Sequence, residues 1–287
     1  MAEMSFSRIA IIGPGLLGAS VAMAVRERLS ARVALWARRE EAVKELREKG
    51  IADTCSTDLG EITDGADLVI LATPVGAMAS CMRGILENDK LAEDAVITDV
   101  GSVKGSVVEE MDALLTEREA ISFVGSHPMA GSEQTGAAHA RSDLFVDAAC
   151  IVTAGETSHG DSPERVAEFW KSLGCRILKM EAHAHDRAVA KISHLPHLVA
   201  SALVNSALGE DASIGQLVAG GFRDSTRIAA GSPSMWTEIA LENRDALREP
   251  LERMAGEIRD LLAFLDGMKH EELRQFLERA KKLRDAL

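Results

Sequence analysis

The stretch Ile9-Ala-Ile-Ile-Gly13-Pro-Gly15-Leu-Leu-Gly18 decides how this chain folds. An apolar, β-branched run enters three glycines spaced GxGxxG. A helical pattern leaves them, with Leu17, Val21, Ala24 and Val25 at i, i+4, i+7 and i+8. In such a strand–turn–helix the first glycine permits a tight turn. The second lets a pyrophosphate approach the backbone, and the third lets helix and strand pack closely. Free amides and the positive dipole end of the helix complete an anion site. Gly13, Gly15 and Gly18 are therefore expected to bind a dinucleotide. A glycine turn without ligand is the alternative. The strand before, the helix after and a second strand at the right distance weigh against it.

Outward from this stretch, apolar runs alternate with helical patterns as far as residue 181. The runs are Ile9–Ile12, Arg32–Trp36, Asp67–Leu71, Ala95–Thr98, Ile121–Val124, Ala149–Thr153 and Cys175–Met180. Alternation of this kind predicts an α/β fold, a Rossmann-type doubly wound parallel sheet, and the continuous apolar strands fit a sheet covered on both faces. After Glu181 no further strand is expected. Leu247, Leu251, Met254, Ile258, Leu261 and Leu265 repeat close to a heptad seam, and Leu273, Phe276, Leu277, Ala280 and Leu283 continue it beyond Gly267. Residues 1–181 thus read as a dinucleotide-binding domain and 182–287 as an all-α helical domain. The seam either packs on itself or forms a dimer.

Bulk properties set limits. The 287 residues are 46% hydrophobic and 27% charged, the balance of a globular protein with one large core or two ordinary ones. A formal charge of −13 argues against nucleic acid or an anionic membrane surface as a partner, since both need a basic field. An anionic substrate would need local arginines to overcome that charge. The four cysteines, Cys55, Cys81, Cys150 and Cys175, form no CxxC pair, which suits a reducing compartment and offers no zinc or disulfide framework. Neither a signal peptide nor a membrane span of about 18 apolar residues is expected, so cytoplasm is the default location.

Chemistry concentrates in two loops and one helical stretch. Gly125-Ser-His127-Pro-Met-Ala-Gly131 places His127 in a glycine-bounded loop past an apolar run, and Asp99-Val-Gly-Ser102-Val-Lys104 brings a hydroxyl close before it. Both are expected at the carboxyl ends of strands, where open α/β sheets bind ligands. A histidine beside a nicotinamide can take the proton of a hydroxyl whose carbon gives up hydride, which reads as a dehydrogenase. A lone histidine is otherwise more often structural. In the helical half, Lys191-Ile-Ser193-His194-Leu-Pro-His197 sets two histidines three apart on one helix face. Gly220-Gly-Phe-Arg223-Asp224-Ser-Thr-Arg227 follows, and arginines beside a glycine pair read as anion clamps. Ser234-Met-Trp236 and Glu242-Asn243 come next. At the end of the second strand, Leu35-Trp-Ala-Arg38-Arg39 lacks the acidic residue usual for NAD. Two guanidinium groups suit a 2′-phosphate, so NADP is expected, with NAD as the alternative. Both arginines could instead sit on the surface, paired with Glu40 or Glu41.

The succession GPGLLG, ATPVG, DVGSVK, GSHPMAGSE, SHLPH and FRDSTRIA resembles the prephenate/arogenate dehydrogenases of tyrosine biosynthesis, nearly the whole chain being covered in order. The resemblance implies oxidative decarboxylation of prephenate, or alternatively arogenate, with NAD(P)+. His127 would accept the hydroxyl proton, and Ser102 would bond the same hydroxyl or orient the imidazole. Aromatisation drives the reaction, and no metal is implied. It further implies that Arg227 grips a carboxylate, that Ser132, Ser193, His194 and His197 line the pocket, and that Glu133 and Asp224 position the basic groups. Trp236 would reach towards the neighbouring subunit's site, favouring a homodimer through the helical domain. Leu16, Leu17, Thr73 and Pro74 join the cofactor set with Arg38 and Arg39. Neither a fused chorismate mutase nor a strand-rich regulatory ACT domain is expected.

Three rival readings remain open. His183, His185, Asp186, His194 and His197 could hold zinc or iron, though no metal-ligand spacing is met cleanly and a polar turn explains His183 and His185. A β-hydroxyacid dehydrogenase or imine reductase shares the layout but would leave GSHPMAG without a purpose. A catalytically silent dinucleotide-binding protein has no reason to retain Ser102, His127 and Arg227.

Overall fold

Strand β1 (Arg8–Ile12) is an interior strand of the sheet, and its alternation builds two cores. Ile9 and Ile11 point into one apolar cluster, while Ala10 and Ile12 point into the other. Every one of the four is fully buried. A strand covered on both faces has this period-2 division with no polar side. The computed structural model of the protein describes residues 6–131, 134 and 136–287.

The remaining strands are β2 (Arg32–Trp36), β3 (Thr54–Ser56), β4 (Leu68–Leu71), β5 (Val96–Asp99), β6 (Ser122–Pro128), β7 (Ala149–Ala154) and β8 (Arg176–Lys179). They form one sheet in the order β3-β2-β1-β4-β5-β6-β7-β8, parallel except where β7 runs against β6. Helices α1 (Leu16–Arg28), α2 (Glu40–Glu48), α3 (Leu59–Thr63), α4 (Val75–Asn88), α5 (Gly105–Leu115) and α6 (Ser162–Ser172) cover its faces. Trp170 of α6 is fully buried between Phe145 and Phe169, edge-on to both. Its Nε1 donates to Ser126 Oγ at 2.9 Å, tying the helix to the strand that carries His127.

Two expectations need correction. Strand β3 escaped the sequence because it is three residues long, Thr-Cys-Ser, with no apolar run to mark it. His127 is not in a loop. The antiparallel partner β7 pairs His127 with Ile151 and Pro128 with Cys150, and so extends β6 through residues that read as turn formers.

Beyond β8 the chain is helical: α7 (Ala182–Val189), a π turn (Ala190–His194), α8 (Leu195–Leu208), α9 (Gly220–Thr226), α10 (Pro233–Glu242), α11 (Arg244–Asp266) and α12 (His270–Asp285). The last two form an antiparallel hairpin, with Phe264 edge-on to Phe276 and Arg279 bonded to Glu257 at 2.9 Å. The heptad residues turn outward along α11. Leu247 is buried, but Leu251 is 38% exposed, Ile258 51% and Leu265 61%. A single copy therefore leaves the seam open.

At the first helix, a Cβ on Gly18 would lie 2.0 Å from the Gly13 carbonyl oxygen, backbone that cannot step aside. Gly18→Ala is expected to destabilise the protein by about 1–3 kcal/mol through overpacking. Chemical denaturation of both proteins checks this, and an unchanged midpoint contradicts it.

Candidate active site

The carboxyl ends of β5 and β6 and the start of the helical half enclose a cavity of about 340 Å³. Ser102, His127, Met129, Ala130 and Gly131 line it from the sheet side. Ser193, His194, His197, Arg227, Gly231 and Trp236 line it from the helices. The parallel strands β1 to β6 all end at this edge, where open α/β sheets bind ligands. Two residues, Met180 and Glu181, separate β8 from α7, and the carboxylate of Glu181 caps the helix by accepting from the amides of His183 and Ala184, both at 2.7 Å.

His127 is buried and its Nδ1 lies 2.8 Å from Nε2 of His185 on α7. His185 Nδ1 in turn lies 2.8 Å from Asp186 Oδ1. The Asp186 carboxylate also accepts the backbone amides of Lys104 (2.8 Å) and Gly105 (2.7 Å) at the start of α5. Burial drives the His127 pKa well below the usual 6.5, and neighbouring His185, Lys104 and His194 push the same way. Burial would raise the pKa of Asp186, yet its bonds from His185, Lys104 and Gly105 outweigh that and hold it down. The site thus contains a neutral imidazole and an ionised carboxylate joined through a second imidazole. Behind them lies a fully buried ion pair, Lys104 with Asp99. Asp99 also accepts the amides of Gly101 (2.8 Å) and Ser126 (3.0 Å), the residues preceding Ser102 and His127. Ser102 makes no hydrogen bond to the imidazole among the described residues, so orientation of the ring falls to His185.

His194 ends the π turn and His197 lies one turn on in α8; a π turn shifts the register of the side chains that follow it. Burial pushes the His194 pKa down to about 4, against the opposing pull of Asp186. Asn243 Nδ2 lies 3.0 Å from His194 Nδ1 and 3.0 Å from the Asp186 carbonyl oxygen. His194 Nε2 and His197 Nδ1 are buried without hydrogen-bond partners among the described residues, and both residues line the cavity. Trp236 stacks on His197 with centroids 3.6 Å apart and planes 9° from parallel. Within one chain it lines this cavity. Gly231 makes room for this, since a Cβ there would stand 2.6 Å from the indole Nε1.

Of the two arginines in the glycine-rich stretch, Arg227 lines the cavity and Arg223 does not. Asp224 departs from expectation. It sits exposed on α9 outside the lining, whereas Arg227 begins a 3-10 turn that faces inward. Ser132 and Glu133 lie outside the described residues.

The glycine loop fits a dinucleotide. Gly15 has open space where a Cβ would point, Gly13 holds φ +119° against Ala72, and α1 starts with neither a capping side chain nor an acidic residue in its first turn. Its first amides are free for a pyrophosphate. Leu16 and Leu17 open that helix, and Thr73 with Pro74 forms the passage from β4 into α4. Arg38 and Arg39 are exposed just past β2. Neither forms an ion pair among the described residues, and Glu40 is taken by Thr57 Oγ1 at 2.7 Å.

Sequence reading missed His185, Asp186 and Asn243 as parts of the site. The signal was present in the adjacent His-Asp pair, which read as a polar turn or a metal ligand set. His183 is turned outward to Glu109 at 3.0 Å, and no group of three potential ligands converges among the described residues.

This chain matches the family model described as "Prephenate dehydrogenase, nucleotide-binding domain" over residues 21–179, and "Prephenate dehydrogenase, dimerization domain" over residues 181–279. It is 33% identical over 284 residues to a prephenate dehydrogenase of Bacillus subtilis, covering 97% of this chain and 76% of that protein. It is 33% identical over 287 residues to a cyclohexadienyl dehydrogenase of Zymomonas mobilis, covering 98% and 96%. Among solved structures, prephenate dehydrogenase from A. aeolicus in complex with hydroxyphenyl propionate and NAD+ is similar at TM-score 0.89 and 29% identity, covering 98% of each chain. The order of the sheet, the glycine loop and the histidine-lined cavity agree with these likenesses: the chain belongs to the prephenate dehydrogenase family.

Proposed function

We propose that the protein is a prephenate dehydrogenase that oxidatively decarboxylates prephenate to 4-hydroxyphenylpyruvate with NADP+, NAD+ being the alternative. The observation that carries this reading is a neutral, buried imidazole, His127, on the wall of a cavity that also holds a guanidinium, Arg227. The bound dinucleotide supplies the acceptor for the hydride that leaves the hydroxyl-bearing ring carbon. His127 Nε2 takes the hydroxyl proton as the carbonyl character develops, and Ser102 holds the same oxygen. Loss of the ring carboxylate as CO2 then aromatises the ring. Arg227 grips a substrate carboxylate, while Ser193, His194 and His197 contact its polar edge. Ser132 and Glu133 belong to the same pocket by resemblance.

Prephenate is the substrate we propose, with arogenate as the alternative. Arg38 and Arg39, exposed just past β2 and without an ion pair among the described residues, support NADP. The open apolar seam of α11 and the match to a dimerization-domain model support a homodimer through residues 182–287, with residues 1–181 as the cofactor-binding domain. The four cysteines are free and buried, in keeping with the cytoplasm, and no helix among the described residues is long and apolar enough to cross a membrane.

His127→Ala is expected to lower kcat by roughly 10²–10⁴ while cofactor Kd stays unchanged. Wild-type turnover in that variant would remove His127 as the base. The pH profile supplies an independent check. A base with a depressed pKa stays unprotonated as pH falls, so kcat/KM should hold level from neutrality through 6.5 and drop only below it. An acid limb centred at or above 6.5 would contradict the neutral imidazole. For the cofactor, replacing Arg38 and Arg39 together by Ala should raise KM for NADP+ about tenfold or more, at about 1.5–3 kcal/mol per charged hydrogen bond, and leave NAD+ nearly unaffected. Equal effects on both dinucleotides would place the arginines on the surface only.

A further inference from the structure

Hydrogen-bond direction within the buried network follows from its two unambiguous ends. The Asp186 carboxylate can only accept, and it already accepts from Lys104 and Gly105 amides. His185 must therefore donate from Nδ1 at 2.8 Å, which in the neutral ring leaves its Nε2 as an acceptor. That nitrogen lies 2.8 Å from His127 Nδ1, so His127 donates there and its Nε2 is bare. The second end is the backbone carbonyl of the same residue. It accepts from Asn243 Nδ2 at 3.0 Å, which fixes the amide's orientation and makes Nδ2 a donor to His194 Nδ1 as well. His194 then carries its proton on Nε2, the buried atom without a partner on the cavity wall.

We propose that Asp186 sets opposite tautomers on the two cavity histidines, acting through its carboxylate and His185 on His127 and through its carbonyl and Asn243 on His194. His127 so presents a lone pair that can remove a proton, and His194 presents an N–H that can only donate to a substrate oxygen. His185, Asp186 and Asn243 are positioning residues that touch no substrate. When His127 gains the substrate proton, the resulting imidazolium faces an acceptor already wired to a buried anion, as in the histidine–aspartate pair of serine proteases. The arrangement also discriminates by polarity. A ligand that offers a donor to His194 or an acceptor to His127 meets an unpaired buried group, which costs affinity.

The inference rests on His127 as the base, and its test separates the two readings. Two-bond 1H–15N spectra of the 15N-histidine-labelled free enzyme, assigned by the signals lost in His127→Gln and His194→Gln, read both tautomers without any turnover. The expected result is Nδ1–H with bare Nε2 on His127, and Nε2–H on His194. Nε2–H on His127 in the wild-type protein overturns the proposal, whatever the substrate proves to be. In turnover, His185→Leu should lower kcat about 10²-fold or more and leave KM values unchanged. His185→Gln, which keeps an acceptor for His127, should recover about tenfold of that loss. Asn243→Leu should act on KM for prephenate more than on kcat. Wild-type kcat in His185→Leu, or no recovery in His185→Gln with its His127 tautomer retained, would also overturn it.

Discussion

The Asp186 carboxylate seated on the first amides of α5 is the contact on which the site depends. It joins the helical half to the loop that carries Ser102, and it holds the histidine that holds His127. The seat exists because residue 105 is glycine: a Cβ there would stand 2.8 Å from Asp186 Oδ2 and from His183 Nδ1. A helix N-terminus favours an anion, and burial strengthens the attraction. One residue earlier, the buried Lys104–Asp99 pair anchors the same loop from beneath. Breaking such a pair from one side typically costs about 3–5 kcal/mol, because the remaining charge stays buried and alone. The loop between β5 and α5 is thus held on both sides by carboxylates.

Electrostatics in the cavity run against the charge of the whole chain. The substrate proposed above is a dianion and the chain carries a formal charge of −13, while the described lining includes one guanidinium and three imidazoles. Desolvation keeps His194 near pKa 4 and His127 well below 6.5, so these rings work as neutral hydrogen-bonding groups. Cationic histidines would attract an anion more strongly, but His127 could then not act as the base we propose.

Much of the architecture was legible because the hydrophobic effect writes itself into periodicity. Strand β1 and helix α1 combine apolar periodicity with glycines whose geometry has no substitute, and both formed where expected. Strand β3 was silent because its three residues carry no apolar signal, and the end of β6 was misread because a pairing partner overrode the turn chemistry of Gly125, His127 and Pro128. At the site, Arg227 and Arg223 looked alike in sequence, since four residues apart on one segment cannot say which faces inward. His185 and Asp186 read as part of a polar turn or a metal-ligand set, because their partners lie more than fifty residues away.

The amino-acid sequence by itself determined the sheet, the dinucleotide loop and the residue types of the cavity, because backbone conformation and burial act over a few neighbouring residues. Only the tertiary structure decided which histidine carries a proton on which nitrogen. That choice is made by hydrogen bonds between β6, α5, α7 and the α10–α11 junction, and donors and acceptors brought together from such distant positions leave no local pattern to read.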